Sequence, residues 1–148
     1  GVLYLDLDRF KEVNDLFGHA AGDTLLQSVA RCVTAVLDQH HMMARLGGDE
    51  FVVILPQVRD KGDAVRVAQK LLSRFVQPFD LRGNLVMLSV SIGISMSPQH
   101  GQTAEELIKH ADDAMYRAKK KGRLTPPLSM VSIYSGTVSS GLSSPSKR

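Results

Sequence analysis

The amino-acid sequence predicts an α+β fold, a mainly antiparallel central sheet flanked by helices. Apolar residues recur at helical spacing in separate stretches of the chain. Between them lie short β-rich runs that double back around glycine turns. The resulting order is strand, helices, hairpin, helix, hairpin, helix, with no internal repeats.

The chain opens on an apolar run, Val2 to Leu5, read as a strand that ends in the carboxylates Asp6 and Asp8. A short helical stretch over Phe10 to Phe17 follows and is broken by Gly18. From Leu25 onward, apolar residues at 25, 26, 29, 30, 33, 36 and 37 form one helical stripe. Met42 to Leu46 and Phe51 to Leu55, on either side of Gly47-Gly48, read as a β-hairpin closed by Pro56. A further helix is predicted between Asp63 and Val76, with Ala64, Val65, Ala68, Leu71, Leu72 and Phe75 on one side. Residues Phe79 to Ser95 read as another hairpin, turning at Arg82-Gly83-Asn84. After that turn Val86, Leu88, Val90, Ile92 and Ile94 alternate, as a strand with one buried face requires. Thr103 and Glu106 have capping-box spacing ahead of a long helix carrying Leu107, Ile108, Ala111, Ala114, Met115 and Ala118. Beyond Arg123 the chain turns rich in serine, proline and glycine. Residues 124–148 read as a linker or disordered terminus, with one strand-like run near 130–134.

A length of 148 residues suits one domain, and 43% hydrophobic with 22% charged residues is ordinary for a soluble globular protein. No apolar run can span a bilayer and no leader opens the chain, so a cytoplasmic domain without membrane contact is expected. An opening inside a core strand reads as a fragment of a longer protein. Cys32, the single cysteine, excludes an internal disulfide and is expected to be a buried, unreactive thiol. Net charge is +3, with Arg117, Lys119, Lys120, Lys121 and Arg123 clustered near the end of the last helix. Such a cluster binds phosphates, nucleic acid or an acidic partner, or is a solvated face; composition alone favours the solvated face.

Asp6 and Asp8 at a strand end, and Asp49 and Glu50 in a glycine-opened turn, are each compatible with solvated turns. If the first strand pairs beside the hairpin, however, Asp6 and Asp49 converge on one edge of the sheet. Carboxylates with backbone carbonyls make an oxygen-rich site suited to Mg²⁺, and Gly47-Gly48 leave room for a bulky ligand. His40-His41 is read as surface, because adjacent histidines on a strand face opposite ways. Met42-Met43 is read as core and edge packing.

Several blocks of the sequence resemble those of GGDEF-family diguanylate cyclases. These are Asp6 to Asp15; Phe17-Gly18-His19 with Gly22-Asp23; Ala44-Arg45-Leu46 leading into Gly47-Gly48-Asp49-Glu50-Phe51; Ser91-Ile92-Gly93-Ile94; and Ala111-Asp112 through Met115-Tyr116, Ala118-Lys119 and Gly122-Arg123. They stand in family order over residues 1–123. The resemblance implies the ferredoxin-like palm of nucleotidyl cyclases and the condensation of two GTP into cyclic di-GMP. It places a Mg²⁺ (or Mn²⁺) ion on Asp6, the Leu7 carbonyl, Asp49 and Glu50. It makes Asp49, Glu50 and Lys11 catalytic, with Asn14 and Asp23 on the guanine edge, His19 near the nucleotide, and Lys11, Lys119 and Arg123 on the triphosphate. Lys120, Lys121 and Arg117 stay solvated in this reading. The partners it implies are GTP, a second copy of the domain and an upstream sensor domain in a protein that is membrane-anchored or soluble; nucleic acid is not among them.

Three departures from the family pattern stand out. The family's helix and wide turn ahead of the first strand are missing. The stretch matching its Arg-x-x-Asp product-inhibition site is Asp38-Gln39-His40-His41, and Gly122-Arg123-Leu124 replaces the Gly-Arg-Asn ending. A regulatory GTP-binding module without catalysis is the alternative function, and intact Asp6, Asp49 and Glu50 argue against it. A cyclase with relaxed product choice is a third reading.

Overall fold

β1 (Val2–Leu7) runs through the middle of the sheet and sorts its side chains by alternation. Leu3, Leu5 and Leu7 face one side, where they are fully buried against Phe51, Val53, Ile92 and Ile94. Each such burial contributes about 1.5–3 kcal/mol. Val2 and Tyr4 face the other side and pack with Val52, Ala111 and Met115 in a smaller core. Both faces are covered, so every residue of β1 is buried.

The computed structural model describes residues 1–122 and 133–135. After β1 come α1 (Phe10–Phe17), α2 (His19–Val36), β2 (Met42–Gly47), β3 (Glu50–Ile54) and α3 (Lys61–Arg74). Then follow β4 (Phe79–Leu81), β5 (Asn84–Val86), β6 (Val90–Ser95), α4 (Ala104–Gly122) and β7 (Ile133–Ser135). The five-stranded sheet has the order β2-β3-β1-β6-β7. β2, β3, β1 and β6 are antiparallel to their neighbours, and β7 joins β6 in parallel. Helices α1, α2 and α3 supply Val13, Leu25, Val29, Val33, Ala68 and Leu71 to the main core, and α4 covers the opposite face. This is the α+β architecture the sequence predicts. The capping box is also present: Glu106 N donates to Thr103 Oγ1 (3.2 Å) and Thr103 N to Glu106 Oε2 (3.3 Å).

The hairpin predicted over 79–95 is split. Among the described residues β4 and β5 pair only with each other, and β6 crosses into the main sheet between β1 and β7. Alternation runs unbroken from Val86 to Ile94, so the sequence period carries no trace of the break. β1 offers β6 a register from Leu7↔Val90 to Val2↔Ser95, twice the length of the β4–β5 ladder. Nor does β6 have one buried face: all its residues are buried, with Ile92 and Ile94 in the main core. The small residues Ser91, Gly93 and Ser95 occupy the face under α4, where Ser95 Oγ donates to the Leu107 carbonyl (2.7 Å).

Three smaller expectations also change. His40 and His41 lie in the turn before β2, not on a strand. Asp38 organises that turn, accepting from His40 N (2.9 Å) while its own amide donates to His41 Nδ1 (3.3 Å). Met43 packs against the core, but Met42 is 59% exposed on the outer strand. Cys32 is only half-buried against the core, and burial pushes its thiol pKa up. Of the tail, only 133–135 is described, as β7, which overlaps the strand expected near 130–134; the rest of 124–148 lies outside the described residues.

Candidate active site

One face of β1 changes character along its length, reading Val2, Tyr4, Asp6 and, just past the strand, Asp8. The registers Tyr4↔Val52 and Asp6↔Glu50 place the acidic half of that face beside the Gly47-Gly48-Asp49-Glu50 turn. The ladder continues into the turn, where Leu7 N donates to the Asp49 carbonyl (3.2 Å). Asp6 and Asp49 therefore come to the same sheet end, as pairing of the first strand beside the hairpin requires. Arg45 Nε donates to the Gly48 carbonyl (2.9 Å) and braces the turn. A Cβ at Gly47 or Gly48 would meet nothing within 4 Å, so the backbone there is open to a ligand.

Helix α4 delivers the cation. Gly93 lies so close to α4 that a Cβ there would overlap the Ala111 carbonyl and the Met115 amide. One turn beyond Met115, Lys119 reaches Asp6, with Nζ 2.9 Å from Asp6 Oδ2 and 3.9 Å from Asp8 Oδ1. Asp6 is only 8% exposed, and its other oxygen, Oδ1, is buried with no hydrogen-bond partner among the described residues. Burial pushes the Asp6 carboxyl up to about 6; Lys119 pulls it down, while Asp49 and Glu50 repel its charged form. Burial thus outweighs a short ion pair. Beneath Glu50, burial and the Glu50 and Asp112 charges push the Tyr4 hydroxyl up to about 12.

The remaining predicted residues surround α1 and α2. Asn14 is half-buried, and a Cβ at Gly22 would collide with its Oδ1, so Gly22 is the gap that seats this amide against α2. Asp23, next along α2, is exposed and borders an open cleft of about 460 Å³ together with Gln27, Met43 and Arg45. Neither Asn14 nor Asp23 is a helix cap. His19 begins α2 and is exposed, as is Lys11 on α1. Lys120, Lys121 and Arg117 are exposed on α4, and Lys120 lies over the Tyr116 ring (5.2 Å). Arg123 lies outside the described residues.

A family profile described as "Diguanylate cyclase, GGDEF domain" matches residues 1–125. The chain belongs to the GGDEF family. Its relatives include the bifunctional diguanylate cyclase/cyclic di-GMP phosphodiesterase MucR of Pseudomonas aeruginosa, 48% identical over 82% of this chain and 18% of that protein. The cyclic di-GMP phosphodiesterase PdeR of Escherichia coli is 43% identical over 83% of the chain and 18% of its own length. The crystallised GGDEF domain of TpbB (YfiN) from P. aeruginosa superposes with a TM-score of 0.85 at 39% identity, covering 93% of this chain and 81% of that one. The active GGEEF domain of a diguanylate cyclase from Vibrio cholerae gives a TM-score of 0.70 at 30% identity, covering 82% and 76%. The chain spans between 15% and 28% of the length of the curated relatives it matches.

The site of this GGDEF domain includes residues that sequence reasoning passed over. Ser89 Oγ donates to Asp8 Oδ2 (2.8 Å) and Ser91 Oγ to Asp8 Oδ1 (2.9 Å), so both oxygens of Asp8 are held, one from β6 and one from the residue that leads into it. The available signal was the alternation of small hydroxyl residues along that strand. Among the described residues no three His, Cys, Asp or Glu side chains converge into a metal cage. The residues present still fit a divalent cation: Asp6 Oδ1 is buried with no partner among the described residues, and three carboxylates raise the local negative charge. Mg²⁺ needs no protein cage, because it binds through one or two carboxylates plus substrate phosphates. No helix among the described residues is long and apolar enough to cross a membrane.

Proposed function

We propose that this domain is a diguanylate cyclase, joining two GTP into cyclic di-GMP and two pyrophosphates where two copies meet. The observation that carries this reading is the buried, half-unpartnered carboxylate of Asp6 beside the Asp49-Glu50 turn and beneath Lys119. In each half-reaction a ribose 3′-oxygen attacks the α-phosphorus of the other GTP. A P–O bond forms, the bond to the β-phosphate breaks with its electron pair, and the hydroxyl proton passes to Asp49 or to water. Asp6, the Leu7 carbonyl, Asp49 and Glu50 would hold Mg²⁺ or Mn²⁺, which when bound neutralises phosphate charge and acidifies the attacking hydroxyl.

The chain's own side chains bind and orient the nucleotide. Asp23 accepts from the guanine N1–H and exocyclic amine, and Asn14 hydrogen-bonds the same guanine edge, with His19 nearby. Adenine lacks the paired N1–H and exocyclic amine donors, so in the same place it would strip water from the exposed Asp23 carboxylate without replacing those hydrogen bonds. Lys11, Lys119 and Arg123 hold the triphosphate, and their charge stabilises departing pyrophosphate. Each domain binds one GTP, so catalysis needs a homodimer. Matching only a part of its longer relatives is consistent with an attached sensor domain.

Incubation with GTP and Mg²⁺ is expected to yield cyclic di-GMP by mass spectrometry. GTP binding without product, in a chain extended at its N-terminus, would leave the second reading: a regulatory GTP-binding domain controlling a phosphodiesterase. The name of PdeR, a phosphodiesterase with a matching segment, favours that alternative. A second expectation concerns Gly22. Gly22→Ala should leave the melting temperature near that of the wild type, since the helix gain of alanine, about 1 kcal/mol, is offset by the displaced Asn14 side chain and the tight approach to Phe10. It should also displace the Asn14 amide and weaken GTP binding by roughly tenfold, the worth of one lost hydrogen bond. Calorimetric titration with GTP checks it, and wild-type affinity would remove Asn14 from the base site.

A further inference from the structure

We infer that Asp8 is a positioning residue for Lys119, a second anchor that keeps the lysine ammonium over the site when Asp6 is engaged by a cation. The inference rests on the cyclase reading above and adds a residue to it. Asp8 lies just past β1 on the same face as Asp6, and its amide donates to the Ser89 carbonyl (2.9 Å). Its carboxylate is held at both oxygens, by Ser89 Oγ (2.8 Å) and Ser91 Oγ (2.9 Å). Two serine hydroxyls, one on each oxygen, restrain this carboxylate beside the start of β6. The contact to Lys119 Nζ is 3.9 Å, longer than a direct hydrogen bond and within reach of a small side-chain shift.

Asp6 contrasts with this. Its Oδ2 takes the direct bond from Lys119 at 2.9 Å, and its buried Oδ1 has no partner among the described residues. A cation coordinated by Asp6 would repel the ammonium from that oxygen. The lysine has a flexible four-carbon stem and would disperse into solvent if nothing else held it. Asp8 is the carboxylate 3.9 Å away, and the serine pair keeps it in place. Lys119 then passes from Asp6 to Asp8 and stays aimed at the phosphates. Gly93 supports the arrangement by seating α4 against β6, so that the lysine starts from a fixed height above the sheet.

The test is a double-mutant cycle of Asp8→Asn and Lys119→Met, read as affinity for a non-hydrolysable GTP analogue in Mg²⁺ by calorimetry. Asparagine keeps the shape and a hydrogen-bonding oxygen for the serines but removes the charge that holds the lysine. Each single variant is expected to weaken binding by roughly tenfold, the scale of one charge-assisted hydrogen bond, and the double variant no further than Lys119→Met alone. Independent, multiplying effects, or wild-type affinity in Asp8→Asn, would overturn the inference. The pair Ser89→Ala with Ser91→Ala serves as a second variant: it keeps the charge, frees the carboxylate and should give a smaller loss that also vanishes in the Lys119→Met background. A loss that persists there would count against the clamp. Turnover by the wild type separates the two levels. Product formation with an additive cycle defeats only the role of Asp8, whereas analogue binding with a coupled cycle and no product defeats only the cyclase reading. No nucleotide binding by the wild type defeats both.

Discussion

Asp49→Ala is expected to fold as the wild type and to make no detectable cyclic di-GMP. Alanine keeps the Asp49 carbonyl that accepts from Leu7 N, so the ladder joining the turn to β1 survives. The substitution also removes a negative charge that repels the buried carboxylate of Asp6, so stability should stay within about 0.5 kcal/mol of the wild type, as for most surface changes. The chemistry loses both the cation ligand and the hydroxyl-proton acceptor proposed for Asp49. A positioned proton acceptor alone is worth about 10²–10⁴ in rate. Mass spectrometry of product, with a thermal melt beside it, checks the expectation. Undiminished turnover at a wild-type melting temperature would refute the placement of the metal and the base on this turn.

Gly93→Ala is expected to act on the fold and on the site together. The new Cβ would overlap the backbone of Ala111 and Met115, and backbone atoms of a packed helix cannot yield as a side-chain tip can. Helix α4 must lift away from β6, opening the small core where Val2, Tyr4 and Val52 meet Ala111 and Met115. Overpacking of this kind costs about 1–3 kcal/mol, sometimes more, which is roughly 4–12 °C in melting temperature for a domain of this size. Lys119 is raised with the helix and loses its bond to Asp6. Turnover should therefore drop even well below the new midpoint. A calorimetric scan with a wild-type midpoint would mean that α4 is not seated on that glycine.

Much of this architecture is legible in the sequence because local signals and tertiary packing agree. The span Phe10 to Phe17 emerges as a helix with the bounds that its apolar spacing and Gly18 suggest. The Gly47-Gly48 hairpin forms, and pairing of β1 beside it brings Asp6 opposite Glu50. Failures occur where partner choice is non-local. Nothing in residues 79–95 says that β6 abandons β5 for β1, because its alternation suits either partner equally. Ser91 and Gly93 look like ordinary small residues until α4 is laid over them; then one clamps Asp8 and the other sets the helix height. Lys119 reads from the family pattern as a phosphate ligand, whereas its bond to Asp6 requires two segments 113 residues apart to meet. Ion pairs of that range leave no mark in a linear pattern.

β1 carries Asp6 on a strand that is hydrogen-bonded along both edges and buried on both faces. Amides in such a strand exchange with solvent only when the whole domain opens, so residues 3–6 should report the global unfolding free energy. The acidic centre thus has no low-energy local fraying mode of its own and persists for as long as the domain is folded. On the cyclase reading proposed above, control of such a site would act through encounter, by what is brought up to the open glycine turn and when, rather than by melting the centre itself.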